Sequence, residues 1–445
     1  MTTLCMVLGL VAKEDMELVQ MDVKMAFLHG DLHEDIYMEQ PVGHAVKGKE
    51  HLVCKLKKSL YGLKQAPREW YQKFDTFMRS QGYMRTETDH CLYTKRMADG
   101  SLQILILYVD DMLIAGKDKH NVDALKGKLS ETFDMKDLGD ASHILGMRII
   151  RDRNRGLLYL SQQTYVEKVL KRFNMERGKS LSTPLAPHLK LSKVDCPKSD
   201  TEKAEMAKIP YASACGSLMY AMVATRPDIA YAVGVVSKKH WEAVKGVLQY
   251  LNGTKDRCIC FGKGKLLVVG YTDADYAGDL DKRRSTSGYL YTFAGGAISW
   301  LSRLQSCVTL STTEAEYVAT SEACKEAIWL TRLVGDLGIV REIPVLHCDN
   351  TIGTESCVSC KDKTCGCQIP LHQGGAMQAV EKAKKRKTQK EKVQELPPYQ
   401  LEPTLVKNTK VTYLSKELLE EHNTTIFIGK FKSKEGHQGR DSNTT

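Results

Sequence analysis

Short apolar runs of strand length alternate with amphipathic stretches along this chain, and the period changes from one region to the next. Ile104 to Val109, Met112 to Ala115 and Leu18-Val19-Gln20-Met21 read as strands, while Glu69–Ser80 and Thr164–Phe173 repeat apolar residues at helical spacing. Residues 1–185 are therefore expected to form an α+β unit. Residues 186–262 begin Pro- and Lys-rich and then give helical patterns over Tyr211–Val223 and His240–Leu251, as a helical connection would. Residues 263–350 read strand, hairpin, strand, long helix, strand, which is a small α/β unit. After Thr351 the periodicity is lost, and 351–445 is expected to be a largely irregular tail. The opening run Leu4–Ala12 is apolar, but no positive charge precedes it and no small-residue cleavage pattern follows, so it reads as a buried helix. No run reaches the roughly 18 apolar residues of a membrane span, and no membrane partner is expected.

The most informative stretch is Ile104 to Gly116, in which Asp110 and Asp111 separate two apolar runs. The pattern predicts a buried hairpin with both acids at its turn. Burying an unpaired carboxylate is costly, and a second one beside it adds repulsion, so a cationic partner is implied. A plain surface turn with solvated acids is the rival, weakened by apolar flanks without the Gly or Asn that a tight turn prefers. Hard oxygen ligands facing Mg²⁺ are the sharper reading, and they require a further carboxylate from another strand. Asp22, which ends the apolar run from Leu18, is the candidate.

Three motifs in this order carry a resemblance: Gln20-Met21-Asp22-Val23-Lys24-Met25-Ala26-Phe27 and its continuation to Leu32, Ser59-Leu60-Tyr61-Gly62 through Tyr71, and Tyr108-Val109-Asp110-Asp111. Together they closely resemble the reverse transcriptase of copia-type LTR retrotransposons, plant copies most of all. The resemblance implies a palm-type, right-hand polymerase in which Asp22 and Asp110 are metal ligands and Asp111 is the third acid. It places Phe27 where a ring excludes the ribose 2′-OH, and Tyr61 and Gly62 over the incoming nucleotide and template base. Ile144-Leu145-Gly146-Met147-Arg148 resembles the hairpin that grips the primer end. The basic residues Lys168, Lys171 and Arg172, followed by Arg177 and Lys179, would suit a thumb contacting phosphates.

A second acidic constellation lies downstream. Leu266 to Asp273 reads as a strand ending in an acid, Gly288–Phe293 and Ala297–Leu301 as two more strands, and Ile343–Cys348 as a strand leading to Asp349. The helix between them begins Ser311-Thr312-Thr313-Glu314-Ala315-Glu316 and buries the stripe Ala315, Ala319, Ala323, Ala327, Leu330, Val334, Leu337. At about 100° per residue, Glu316 lies roughly 60° from Ala319 and Glu314 roughly 140° away. Glu316 is thus assigned to the site. Glu314, three residues after Ser311, fits a capping box that returns its carboxylate to the Ser311 N–H. Tyr271 to Asp279, Arg284 to Tyr289, Ser311 to Tyr317 and Cys348-Asp349-Asn350 resemble the ribonuclease H domain of the same elements. That resemblance implies that Asp273, Glu316 and Asp349 hold two Mg²⁺ ions; Asp275 and Asp279 are read as surface acids.

The implied architecture is an α+β polymerase with truncated fingers, an α/β ribonuclease H-like domain and an unassigned basic, Cys-containing tail. The divisions fall at 1–185 (palm and thumb), 186–262 (connection), 263–350 (C-terminally incomplete) and 351–445. The implied partners are an RNA template, a DNA primer, an RNA–DNA hybrid and dNTPs, with two Mg²⁺ per site and Mn²⁺ as the alternative. Three departures from the family pattern accompany this: no basic fingers segment before Met1, a shortened connection between Ser237 and Lys238, and loss of the pattern after Asn350. They leave a second reading, a truncated and catalytically inactive relic that at most binds nucleic acid.

Composition then adjusts the picture slightly. The 445 residues are 42% hydrophobic and 27% charged, ordinary globular usage that excludes a collagen-like or wholly disordered chain. The net charge of +10 suits a polyanionic partner, but 351–445 alone holds 16 basic and 11 acidic residues, so half of the excess belongs to the tail. Fourteen cysteines are too sparse for a disulfide framework and point to reduced thiols in a cytoplasmic or nuclear setting. Cys357, Cys360, Cys365 and Cys367 cluster, yet their spacing does not match a zinc knuckle; unliganded thiols are favoured over Zn²⁺. Lys384-Lys385-Arg386-Lys387 reads as a nuclear-import or nucleic-acid patch.

Overall fold

The apolar run at the start folds as helix α1 (Thr2–Lys13), and every residue from Thr3 to Ala12 is buried. The computed structural model describes residues 1–186, 189, 191–192, 196–236, 241–339 and 344–348, plus the backbone of two short strands in the tail. After α1 the chain enters β1 (Glu17–Val23), a short 3-10 turn at Ala26–His29, and the small ribbon of β2 (Tyr37–Met38) and β3 (Cys54–Lys55). Helix α2 (Ala66–Ser80) starts earlier than its apolar periodicity suggests because Pro67 sits in its first turn, where a missing N–H costs nothing. Its buried stripe is Trp70, Phe74 and Met78, spaced by four.

Strands β4 (Met84–Arg85), β5 (Leu92–Arg96), β6 (Leu102–Tyr108) and β7 (Asp111–Gly116) follow, then α3 (Lys119–Thr132), capped by Asp118, and β8 (Met135–Asp140). They form an antiparallel sheet in the order β4-β5-β6-β7-β1-β8. One face packs on α2 and α3 through Met21, Leu105, Met112, Trp70 and Phe74; the other, carrying Leu18, Ile104, Ile106 and Leu113, joins the cluster around α1. Successive residues thus serve opposite faces, as the pleat requires.

The next stretch supplies β9 (His143–Ile144), β10 (Met147–Asp152), β11 (Leu157–Ser161) and α4 (Gln163–Arg172). Helices α5 (Asp200–Ala207), α6 (Tyr211–Ala224), α7 (Ala230–Val236) and α8 (Trp241–Gly253) lead to β12 (Arg257–Phe261). Helices α4, α6, α7 and α8 share one core. Strand β12 pairs antiparallel with β11, so a segment nearly a hundred residues downstream completes the sheet that holds the β9–β10 hairpin.

The last sheet comprises β13 (Val269–Asp275), β14 (Thr286–Phe293), β15 (Gly296–Leu304) and, after helix α9 (Thr312–Leu337), β16 (Val345–Cys348). Strands β13 to β15 are an antiparallel meander, and β16 runs parallel beside β13. A parallel neighbour needs a crossover, which α9 provides by laying its Ala and Leu stripe on the sheet. Gly338 ends α9 in the left-handed conformation at φ 62°. Strands β17 (Cys367–Pro370) and β18 (Ile428–Lys430) add to the edges beside β16 and β12. The Ser237–Lys238 junction, Asp349, the basic run from Lys384 and Cys357, Cys360 and Cys365 lie outside the described residues, as does the side chain of Cys367.

No described helix is long and apolar enough to cross a membrane. Among the described residues α1 is enclosed by β11, β12 and β15, and a Cβ on Gly9 would stand 3.0 Å from the Phe293 ring. Truncating a side chain there should open a cavity that this packing cannot close. Leu8→Ala is expected to cost about 2–5 kcal/mol in urea denaturation, whereas Met84→Ala, at a residue 74% exposed, should stay within about 0.5 kcal/mol. Equal effects would contradict the enclosure of α1.

Candidate active sites

The first acidic group is built by strand register. Asp22 of β1 stands directly opposite Asp111 of β7, so their side chains share one face at the same end of the sheet. Asp110 occupies the turn between β6 and β7, which are paired from Ile104↔Ala115 to Tyr108↔Asp111. The loop is therefore a tight two-residue turn, although neither residue is the Gly or Asn such turns favour. Val109 takes the left-handed conformation at φ 63°, a rare state for a β-branched residue that costs about 1–3 kcal/mol. The turn is tied from outside: Trp70 Nε1–H donates to Val109 O at 2.7 Å, and Val23 N–H donates to Asp110 O at 2.9 Å.

All three carboxylates are partly buried. Asp111 is held above the usual carboxylate range, chiefly by burial; the Gln20 amide, which donates to its Oδ1 at 3.3 Å, opposes the rise, and the charges of Asp110 and Asp22 add to it. The structure thus brings Asp22, Asp110 and Asp111 close enough to repel. Among the described residues no group of three or more His, Cys, Asp or Glu is arranged as a metal-binding cluster. Mg²⁺ seldom needs one: it keeps waters and takes one or two carboxylates together with substrate phosphates. Crowded hard oxygens whose repulsion a cation would relieve fit such an ion.

Phe27, in the 3-10 turn after β1, meets Tyr61, with ring centroids 4.6 Å apart. Tyr61 is 49% exposed, and Gly62 follows at φ 99°, a conformation only glycine adopts freely, with open space around it. Leu145 and Gly146 both have positive φ and form the tight turn between β9 and β10, so the Ile144–Arg148 motif is a hairpin. Lys168, Lys171 and Arg172 are exposed on α4.

The second acidic group is built by a helix against a strand. Ala274 N–H, at the end of β13, points to Asp273 Oδ1 at 2.8 Å and to Glu316 Oε1 at 3.0 Å, so two carboxylates converge on one amide. Glu316 is 6% exposed and lies on the sheet side of α9. Glu314 faces away, and its carboxylate accepts from Leu310 N–H at 2.8 Å, one residue before the N-cap Ser311 on which the sequence pattern places it. Strand β16 ends at Cys348, opposite Thr272 and one residue before Asp349, which itself lies outside the described residues.

Two acids depart from expectation. Asp279 is buried rather than on the surface, because its carboxylate and backbone organise the loop to Arg284: Asp281 N–H donates to Asp279 Oδ1 at 3.3 Å, and Arg283 N–H to Asp279 O at 2.6 Å. Asp275 is half-buried, receives the Tyr231 hydroxyl at 3.4 Å, and is raised above the usual carboxylate range by burial. Sequence reasoning also missed Gln20 and Trp70. The first was signalled by its place two residues before Asp22, on the same strand face; nothing local signalled the second.

The chain is similar to known proteins over much of its length. The family described as reverse transcriptase (RNA-dependent DNA polymerase) matches residues 1–187. The Retrovirus-related Pol polyprotein from transposon TNT 1-94 of Nicotiana tabacum is 60% identical over 357 residues, covering 79% of this chain and 27% of that protein. The corresponding polyprotein from transposon RE1 of Arabidopsis thaliana is 38% identical, covering 80% of this chain and 24% of its own length. The chain thus spans about a quarter of these relatives. A putative transposon Ty5-1 protein of Saccharomyces cerevisiae is 34% identical over 316 residues and is covered along 100% of its length.

The raised Asp111 gives a sign that can be checked in metal-free buffer. An acid with a raised folded-state pKa binds more protons folded than unfolded, so stability falls as pH rises from the ordinary carboxylate range through the folded value. Asp111→Asn should therefore stabilise the fold at neutral pH, with the gain vanishing once the pH is below the ordinary range. Thermal unfolding across pH reads this, and a destabilised variant at neutral pH would contradict it.

Proposed function

The chain belongs to the reverse transcriptase family of copia-type retrotransposon Pol polyproteins, and on that premise we propose that it extends a DNA primer on an RNA template at the Asp22–Asp110–Asp111 group and cuts the RNA of an RNA–DNA hybrid at a second site containing Asp273, Glu316 and Asp349. The observation that carries the reading is the register of Asp22 against Asp111 with Asp110 in the adjoining turn. Phosphoryl transfer asks the protein mainly for positioning and for charge opposite the phosphates, and this arrangement offers both. Asp22 and Asp110 would hold the cations, with Asp111 as the third acid. Two bound Mg²⁺, or Mn²⁺, would polarise the phosphoryl oxygens and activate the attacking oxygen at each site.

The remaining side chains have roles consistent with that reaction. Phe27, braced by Tyr61, would block a ribose 2′-OH at the incoming dNTP, and Gly62 leaves room for the template base. The Leu145–Gly146 turn would support the primer end, and Lys168, Lys171 and Arg172 would meet duplex phosphates. In this reading 1–185 is the right-hand palm and thumb, 186–262 the connection, 263–350 the ribonuclease H-like domain and 351–445 an unassigned tail. The convergence of Asp273 and Glu316 on Ala274 N–H supports the second activity.

Primer extension on an RNA template with Mg²⁺ tests the first assignment. Asp110→Asn should lower extension by about 10²-fold or more, since removing a ligand forfeits several kcal/mol of transition-state stabilisation. If wild type and variant extend equally, the assignment is wrong. Cleavage of a labelled hybrid should fall similarly in Asp273→Asn while primer extension is retained; unchanged cleavage would remove the second site.

A further inference from the structure

Resting on the polymerase reading of the first acidic group, we propose that Trp70 is a positioning residue whose indole N–H fixes the turn carrying Asp110, and so fixes where that carboxylate meets a divalent cation. The geometry is a pair of tethers. Trp70 Nε1–H donates to Val109 O at 2.7 Å, and Val23 N–H donates to Asp110 O at 2.9 Å. One carbonyl belongs to the peptide before Asp110 and the other to the peptide after it. The two peptide planes that set the direction of the Asp110 side chain are thus both held from outside the hairpin.

The turn needs such a hold. Val109 sits at φ 63° and is 46% exposed, so a conformation unfavourable for a β-branched residue has little packing of its own to secure it. Trp70 can supply the hold because it cannot swing away: it is 2% exposed, with the rings of Phe74 and Phe133 at 5.5 and 5.3 Å and His29 at 5.8 Å. A buried indole seeks an acceptor for its single N–H, and here that acceptor is the strained turn. The same helix also braces the nucleotide side. A Cβ on Gly30 would stand 3.1 Å from Trp70 N, so the segment that carries Phe27 runs directly against the backbone of α2 at Trp70. One rigid helix therefore references both the acid-bearing turn and the Phe27 segment.

The test uses the full chain with Trp70 replaced by benzothienylalanine, which keeps the bicyclic shape but has sulfur in place of the N–H. Trp70→Phe serves as a second variant and 5-fluorotryptophan as a control that keeps the donor. Mn²⁺ affinity is read by electron paramagnetic resonance in an Asp273→Asn background, so that the second site does not titrate, and primer extension is measured alongside. The N–H-deficient variants should bind Mn²⁺ about tenfold more weakly, the scale of one lost hydrogen bond, with kcat reduced and KM for dNTP little changed. The fluorotryptophan protein should match wild type. Mn²⁺ affinity and kcat unchanged in both N–H-deficient proteins would overturn the tether and leave the polymerase reading intact. A wild type that extends no primer, while both variants still weaken Mn²⁺ binding, would overturn that reading and support the tether.

Discussion

A helix without a polar face has to be enclosed on every side, and the rest of this structure is arranged around that requirement. Thr3 to Ala12 of α1 are all buried, and the enclosing strands β11, β12 and β15 come from parts of the chain more than a hundred residues away. The apolar cluster around α1 takes Leu18 and Leu113 from the first sheet, Ile298 and Leu346 from the last, and Ala323 from α9. The two acidic groups are therefore mounted on one continuous core. Polar contacts at its margin run the same way: Thr88 Oγ1–H donates to Asp336 Oδ2 at 2.7 Å, and Arg96 Nη2–H donates to Gly338 O at 3.0 Å. Each is modest in free energy; burial of α1 stabilises the assembly more than either.

Mounting acids on such a core sets a conflict between stability and chemistry. A carboxylate at the end of a buried strand is partly desolvated, and a second one opposite it in register raises the penalty; burial first, and the neighbouring charges after it, push the Asp111 carboxyl above its usual range. The strained Val109 turn is a further local cost. Both are met by groups outside the hairpin: the Gln20 amide on Asp111, Trp70 on the turn, and Val23 N–H on Asp110 O. Strain concentrated beside crowded acids and held by rigid neighbours is the pattern expected where geometry must be kept ready for a charged ligand.

How much of this was legible in the sequence depended on whether the cause was local. The Ile104–Gly116 hairpin was legible because two apolar runs flank a polar pair, and α1 because its run is unbroken. Glu316 was separable from Glu314 by helical angle alone, since both sit on one regular element. The conformation of Val109 was not legible: residue preferences argue against a tight turn there, and the hydrogen bonds that tie it come from Trp70 and Val23, outside the hairpin. Burial of Asp279 was likewise hidden, because loop hydrogen bonds decide it rather than pattern. The pairing of β12 with β11 joins segments that composition assigns to different regions, and no local period encodes a long-range partner.

The two acidic groups solve the same electrostatic problem in different ways. In the first, partly buried acids sit at a sheet end and in the adjoining turn, and external tethers supply the order. In the second, Glu316 is nearly buried on α9, and a shared backbone N–H from Ala274 partly offsets the charge of both Asp273 and Glu316. A carboxylate pair that already has a peptide donor between its members is less dependent on a cation for its placement than three acids crowded on a hairpin. Net charge adds little to either case, since half of the +10 lies in 351–445. Attraction for a polyanion must instead come from where bases stand, and the exposed Lys168, Lys171 and Arg172 of α4 stand on the helix that follows β11. On the proposed polymerase reading, placement of a few charges on a fixed frame, rather than their sum, is what this fold would bring to a polyanion.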